Sequence, residues 1–117
     1  MKIRMKNVVI FVKDLAVAKK FYVDQLGLPL GQETQMLLEF FPGEGTKFGV
    51  ALAMHEAAMP LVGRHTGITL AVEYIVSLCR DLATAGVKFT EPLEASPWGK
   101  MAVVADPDGN QIALVDR

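Results

Sequence analysis

Val8-Val9-Ile10-Phe11-Val12 is an unbroken apolar run of β-branched and aromatic residues. That composition suits a buried strand, expected here to start near Ile3. The period then changes. Leu15, Ala18, Tyr22 and Leu26 recur at helical spacing, with Lys19 and Lys20 on the opposite face. Asp14 stands where an N-cap belongs, and Gly27 where a C′ glycine ends a helix. Three strands are expected next, over 30–34, 36–41 and 47–54. The turn Pro42-Gly43-Glu44-Gly45 separates the last two.

The order then returns. A strand is expected over 67–72. Ile75, Leu78, Cys79, Leu82 and Ala83 trace a second amphipathic helix that ends at Gly86. Strands follow over 87–90, 101–105 and 111–115, the last two joined by Asp106-Pro107-Asp108-Gly109-Asn110. Val12-Lys13-Asp14-Leu15 lies over Val72-Glu73-Tyr74-Ile75 (72 − 12 = 60), and Gly27 over Gly86 (86 − 27 = 59). The pattern predicts an α+β chain built from two β-α-β-β-β modules. Module one covers 1–56, a linker with Pro60 and Gly63 covers 57–64, and module two covers 65–117. Together they form a single domain, as 117 residues suggest.

Composition narrows the function. The apolar share is 51% and the mean hydropathy +0.30. The first is at or just above the ordinary globular range; the second is high for a small monomer and points to apolar surface that lines a pocket or is covered by a second subunit. Twelve basic and thirteen acidic residues leave a net charge of −1 without a long run of one sign. Nucleic acid and membrane are therefore not expected partners. The single cysteine, Cys79, allows no internal disulfide and fits a reducing compartment. Only a short apolar stretch follows the basic segment Met1-Lys2-Ile3-Arg4-Met5-Lys6, too short for a signal peptide or a bilayer span. A cytoplasmic location is expected.

Two segments carry a family likeness. Phe21-Tyr22-Val23-Asp24-Gln25-Leu26-Gly27-Leu28 resembles the helix-end signature FYxxxLGL of the vicinal oxygen chelate superfamily. Residues 106–115, Asp106-Pro107-Asp108-Gly109-Asn110-Gln111-Ile112-Ala113-Leu114-Val115, resemble its closing DPDGNxIEL hairpin. Pro97-Trp98-Gly99 is similar to a further segment of that family. The superfamily includes glyoxalase I, extradiol dioxygenases, fosfomycin-inactivating thiol transferases, methylmalonyl-CoA epimerase and bleomycin-resistance proteins. The resemblance spans essentially the whole chain. It implies curved mixed sheets around a cup-shaped cavity (the glyoxalase/bleomycin-resistance/dioxygenase fold), with homodimers in which both chains wall the cavity.

In the metal-dependent branches of the family, four strands each offer one ligand: His or Gln on the first, Glu on the fourth, His on the fifth, Glu on the eighth. These ligands hold a divalent ion that binds two vicinal substrate oxygens. By the resemblance the positions fall on Asn7, Ala53, Gly67 and Ala113, with matching offsets (67 − 7 = 60; 113 − 53 = 60). An Asn amide is a weak ligand on its own, and Gly and Ala offer none. No metal and no other cofactor is expected.

The remaining candidates have two readings each. His55 and His65 either complete a displaced metal site with Glu39 or Glu56, or are linker-end histidines. Trp98 either stacks on a flat ligand or packs on the closing hairpin. Phe40, Phe41 and Met54 either line the pocket or belong to the core. Cys79 reads as structural, and Asp106 and Asp108 as turn formers. The expected cavity lining is Asn7, Val9, Phe11, Glu39, Phe41, Ala53, His55, Gly67, Thr69, Trp98, Gln111 and Ala113.

The leading expectation is a metal-free protein that sequesters a toxic or antibiotic-like small molecule in a dimer cavity, with no catalytic residue. A holder of cationic bleomycin would carry an acidic surplus, so the near-neutral charge points to a more apolar ligand. The alternative is a family enzyme of lyase, isomerase or dioxygenase type. It would use a displaced metal at His55 and His65, or no metal, with Asn7, Glu39 or Tyr74 polarising a substrate oxygen. A third option is a member that only dimerises and regulates.

Overall fold

Burial alternates along the first strand, β1 (Asn7–Val12): Ile10 and Val12 are buried, while Asn7 is exposed and Val9 and Phe11 are half-buried. That period of two gives the strand one face toward a core and one away from it. The computed structural model describes residues 2–97 and 99–116. They divide into two units, Met1–Val62 and Gly63–Arg117.

In the first unit β1 leads into helix α1 (Leu15–Lys19), which continues as a π-helical segment, Lys20–Gln25. Then come β2 (Leu30–Glu33), β3 (Leu37–Phe40), β4 (Lys47–Leu52) and a 3₁₀ turn, Met59–Leu61. The sheet order is β1-β4-β3-β2, with β1 parallel to β4 and the other pairs antiparallel. The second unit repeats the plan with β5 (His65–Ala71), α2 (Ile75–Thr84), β6 (Lys88–Ser96), β7 (Gly99–Ala105) and β8 (Gln111–Val115). Its order is β5-β8-β7-β6, with β5 parallel to β8. These are the two expected β-α-β-β-β modules, each a mixed sheet. Among the described residues no helix is long and apolar enough to cross a membrane.

Asp14 caps α1 as expected: its Oδ1 accepts from the Ala16 and Val17 amides at 2.9 and 3.2 Å. The expected uninterrupted α-helix widens after one turn. The Leu26 amide donates to the Phe21 carbonyl at 2.8 Å, five residues back. The wider turn lets the neighbours Phe21 and Tyr22 both reach the core. Tyr22 meets Phe21 edge-on at 4.8 Å and Phe48 edge-on at 5.6 Å, while Phe40 stacks on Phe48 at 5.8 Å. Such pairs add to the gain from burying apolar area alone. Phe40 is therefore core, with Leu38, Phe48 and Val50 beside it on the helix-covered face.

Several strand ends differ from expectation. β1 starts at Asn7, because only from there does the chain pair with β4. β3 stops at Phe40, because Phe41 turns left-handed (φ +64). β4 stops at Leu52 and leaves Met54 exposed outside the sheet. β6 runs to Ser96, well past the expected residue 90. It is an edge strand whose bulges at Phe89/Glu91 and Glu91/Glu94 accommodate Pro92, a residue that argues against a strand in sequence.

The second unit is tied together by a polar clamp. Asp106 Oδ1 accepts from the amides of Asp108 (3.0 Å) and Asn110 (2.8 Å), and Asn110 Nδ2 donates to Asp106 Oδ2 at 3.0 Å. Asn110 Oδ1 accepts from the Gly63 amide at 3.0 Å, which holds the chain just ahead of β5. Asp106 and Asn110 are both buried, so each group lost would leave partners unsatisfied. Asn110→Ala should cost about 2–4 kcal/mol. Urea unfolding checks this, and an unchanged midpoint would show the clamp to be dispensable.

Candidate functional site

Each sheet carries its helix on one face, so candidate ligand contacts belong to the other, termed here the far face. In the first unit strand register sets its rows. Asn7 stands beside Lys47; Val9, Gly49, Glu39 and Gln32 form the middle row; Phe11, Ala51 and Leu37 form the third. The structure thus brings Asn7, Val9, Phe11 and Glu39 to one face. The Lys47 ammonium donates to the Glu44 carbonyl in the neighbouring turn.

Three expected contacts from this unit stand elsewhere. Ala53 is one residue past β4, half-buried, its amide bonded to the Val12 carbonyl at 2.9 Å. Phe41 lies beyond β3 in its left-handed turn, its carbonyl accepting from the Glu44 amide. His55 is exposed on a bend, where its carbonyl accepts from the Ala58 and Met59 amides. Alternation would put His55 on the face of Ala53 only in a strand that continued past Leu52, and β4 ends there.

In the second unit Thr69, Ala113, Val103 and Glu91 form one row, and Ala71, Val115, Met101 and Glu94 the next. His65 stands opposite Gln111 at the start of β5. Gly67 sits in the irregular stretch between His65 and Ile68 with φ +76. Trp98 lies outside the described residues.

Register also corrects the placement of the fourth-strand position. Thr69 pairs with Ala113, and its counterpart 60 positions earlier, Val9, pairs with Gly49. The register counterpart of Ala113 is therefore Gly49, 64 positions earlier (113 − 49 = 64), and not Ala53. The constant offset fails because the β6–β7 hairpin is longer: β2 and β3 have four residues each, β6 nine and β7 seven. The chemical outcome is unchanged, since neither Gly49 nor Ala53 has a donor. Asn7, Gly49, Gly67 and Ala113 do not fit the family's divalent ion, which needs about three strong donors. Among the described residues no three His, Cys, Asp or Glu side chains stand together as a metal group.

Two hollows in the second unit carry no sequence motif. A shallow one of about 170 Å³ is lined by Glu91, Pro92, Glu94, Ala95, Ser96 and Met101. An open, apolar groove of about 410 Å³ runs along α2 and β6, lined by Val76, Cys79, Arg80, Ala83, Phe89, Pro92 and Leu93. Sequence reasoning missed it because β6 reads as a strand only to residue 90. Cys79 is buried at its base, and burial pushes the thiol pKa up. The neutral thiol is a poor nucleophile. Cys79 should react with a thiol-specific reagent at neutral pH at least about tenfold more slowly in the folded protein than in urea. Equal rates would contradict a purely structural role.

Against known proteins, the family model of the Glyoxalase/Bleomycin resistance protein/Dioxygenase superfamily matches residues 4–114. A superfamily member from Sphaerobacter thermophilus DSM 20745 is 32% identical over 98% of both chains, with a TM-score of 0.81. TnmS3, an antibiotic binding protein from Streptomyces sp. CB03234, is 29% identical over 99% of this chain and 98% of its own, with a TM-score of 0.79. A glyoxalase/bleomycin resistance protein from the same Streptomyces is 27% identical over 97% and 100%, with a TM-score of 0.78. No curated protein matches the chain.

Proposed function

The chain belongs to the Glyoxalase/Bleomycin resistance protein/Dioxygenase superfamily, and from that premise we propose that it is a binding protein for an apolar, ring-bearing small molecule that uses no catalytic metal. The observation that carries this reading is the donor set. Three of the four positions from which the family's metal branches bind their ion are Gly49, Gly67 and Ala113, and the fourth is the amide of Asn7. Binding needs shape and a few polar groups, whereas the family's chelation chemistry needs the ion. The far face of the first unit supplies the apolar contact through Val9, Phe11, Leu37 and Ala51, with Asn7 and Glu39 as polar groups. On the second, Thr69, Gln111 and Ala113 are the proposed ligand contacts. The description of TnmS3 as an antibiotic binding protein supports the same class of role. The proposal includes a homodimer and a cytoplasmic location, and it needs no catalytic residue. The enzyme reading draws less support: Tyr74 is 84% exposed, and His55 is outside β4.

Protein purified without chelator should hold less than about 0.1 equivalent of Zn, Fe, Ni or Mn, and chelation should leave its melting temperature unchanged. Polycyclic aromatic compounds at about a hundredfold above Kd should stabilise it by about 2.7 kcal/mol, a rise near 10 °C. Phe11→Ala should weaken that binding about tenfold. Stoichiometric metal that is lost in His55→Ala would sink this reading in favour of the displaced-metal enzyme.

A further inference from the structure

The chain ahead of β1 reads Lys2-Ile3-Arg4-Met5-Lys6, with basic and apolar residues in strict alternation. In an extended chain that alternation puts Ile3 and Met5 on one side and the three cations on the other. This is the pattern of a strand, yet none of the described strands pairs with it. The Met5 carbonyl accepts from Thr46 Oγ1 at 3.2 Å, and the Lys6 carbonyl from the Lys47 amide at 3.0 Å. Among the described residues no hydrogen bond or ion pair engages Lys2, Ile3 or Arg4. Ile3 is 82% exposed and Met5 64%. The arm therefore carries apolar area that its own chain does not cover.

A surface that covers such an arm needs an acidic side and an apolar side along one strand edge. Strands β1, β2, β5 and β6 stand at the sheet edges. β1 and β5 carry no acidic residue. β2 carries Glu33, which is already paired with Lys19. β6 differs from all three. Its Lys88 opens the strand, and beyond it Glu91 and Glu94 stand exposed on the far face, around the hollow that they share with Met101. Among the described residues nothing engages either carboxylate. On its helix side the same strand turns Phe89 and Leu93 to the apolar groove, where Val76 of α2 is 51% exposed.

An arm laid along the outer edge of β6 meets both requirements at once. Its cations come beside Glu91 and Glu94, and Ile3 and Met5 come over the groove. Pro92 has no amide to offer, and the two bulges interrupt the ladder. Those features discourage indiscriminate strand pairing at this edge, so side chains have to choose the partner. Resting on the homodimer of the binding reading above, we propose that the N-terminal arm of one copy docks along β6 of a second copy. The exposure of Ile3 and Met5 shows that the arm is not laid on β6 of its own chain.

The test mixes unlabelled and ¹⁵N-labelled full-length protein and treats the mixture with a zero-length carbodiimide, which joins amines to carboxylates in direct contact. Mass spectrometry should find Lys2 or Lys6 joined to Glu91 or Glu94 in peptides that combine the two labels. Sedimentation equilibrium then measures the association. Lys2→Glu/Arg4→Glu/Lys6→Glu and Glu91→Lys/Glu94→Lys should each weaken it about thirtyfold. An equimolar mixture of the two variants should restore it to within about threefold of wild type. Ile3→Ser/Met5→Ser should weaken it about tenfold. All of these side chains are exposed, and circular dichroism checks that the variants fold. If a variant does not fold, the cross-links in the wild-type protein carry the test. Cross-links confined to a single label place the arm on its own chain and overturn the proposal. A dimer without these cross-links, and indifferent to the charge variants, overturns it too and leaves the homodimer standing on another surface. A wild-type protein that stays monomeric at about 100 μM removes the homodimer from the binding reading and this inference with it.

Discussion

The parallel pairing of β1 with β4, repeated by β5 with β8, is the constraint from which the rest of each unit follows. It places the first and last strands of a unit side by side, so the meander β2-β3-β4 must begin at the opposite edge. The chain leaving β1 has to cross the whole sheet to reach β2, and parallel neighbours are joined only by long connections. Helix α1 and its π-helical continuation make that crossing, which commits one face of the sheet to the core. The aromatic cluster of Phe21, Tyr22, Phe40 and Phe48 fills that face. What each unit has left for chemistry is the other face, and its side chains are those at odd positions on β1, β3 and β4. Function is therefore confined by topology before any residue is chosen.

Much of this was legible in the chain because the signals were local. A run of β-branched residues, an Asp before a helical stripe, a glycine after it and an Asp-Pro-Asp-Gly-Asn turn each act over a few residues. The duplicated order followed from them. Asn7, Val9, Phe11 and Glu39 could be grouped on one face because alternation within short strands leaves little freedom. What was not legible depends on partners distant in sequence. Phe41 reads as one more strand residue, yet its left-handed backbone ends β3. The register of β4 against β1 is set by the length of the intervening hairpin, and the two hairpins differ. A constant offset therefore led to Ala53, whereas the sheet leads to Gly49. β6 reads as a strand only to residue 90 because Pro92 and its acidic neighbours mimic a loop, while the edge position and two bulges make that composition acceptable.

The donorless positions are more than missing ligands, because backbone and packing have been built around their smallness. At Gly49 even a methyl group would press on Val9 and Leu37 at 3.2 and 3.4 Å, so a Glu there would force both aside. At Gly67 the backbone holds φ +76, where any residue with a Cβ is strained by about 1–2 kcal/mol. Nothing crowds that position, so the cost of a His would be conformational and not steric. Two of the four sites are thus committed against a donor for different physical reasons, one by contact and one by dihedral angle. Simple reversion of side chains would not rebuild a chelating centre on this backbone.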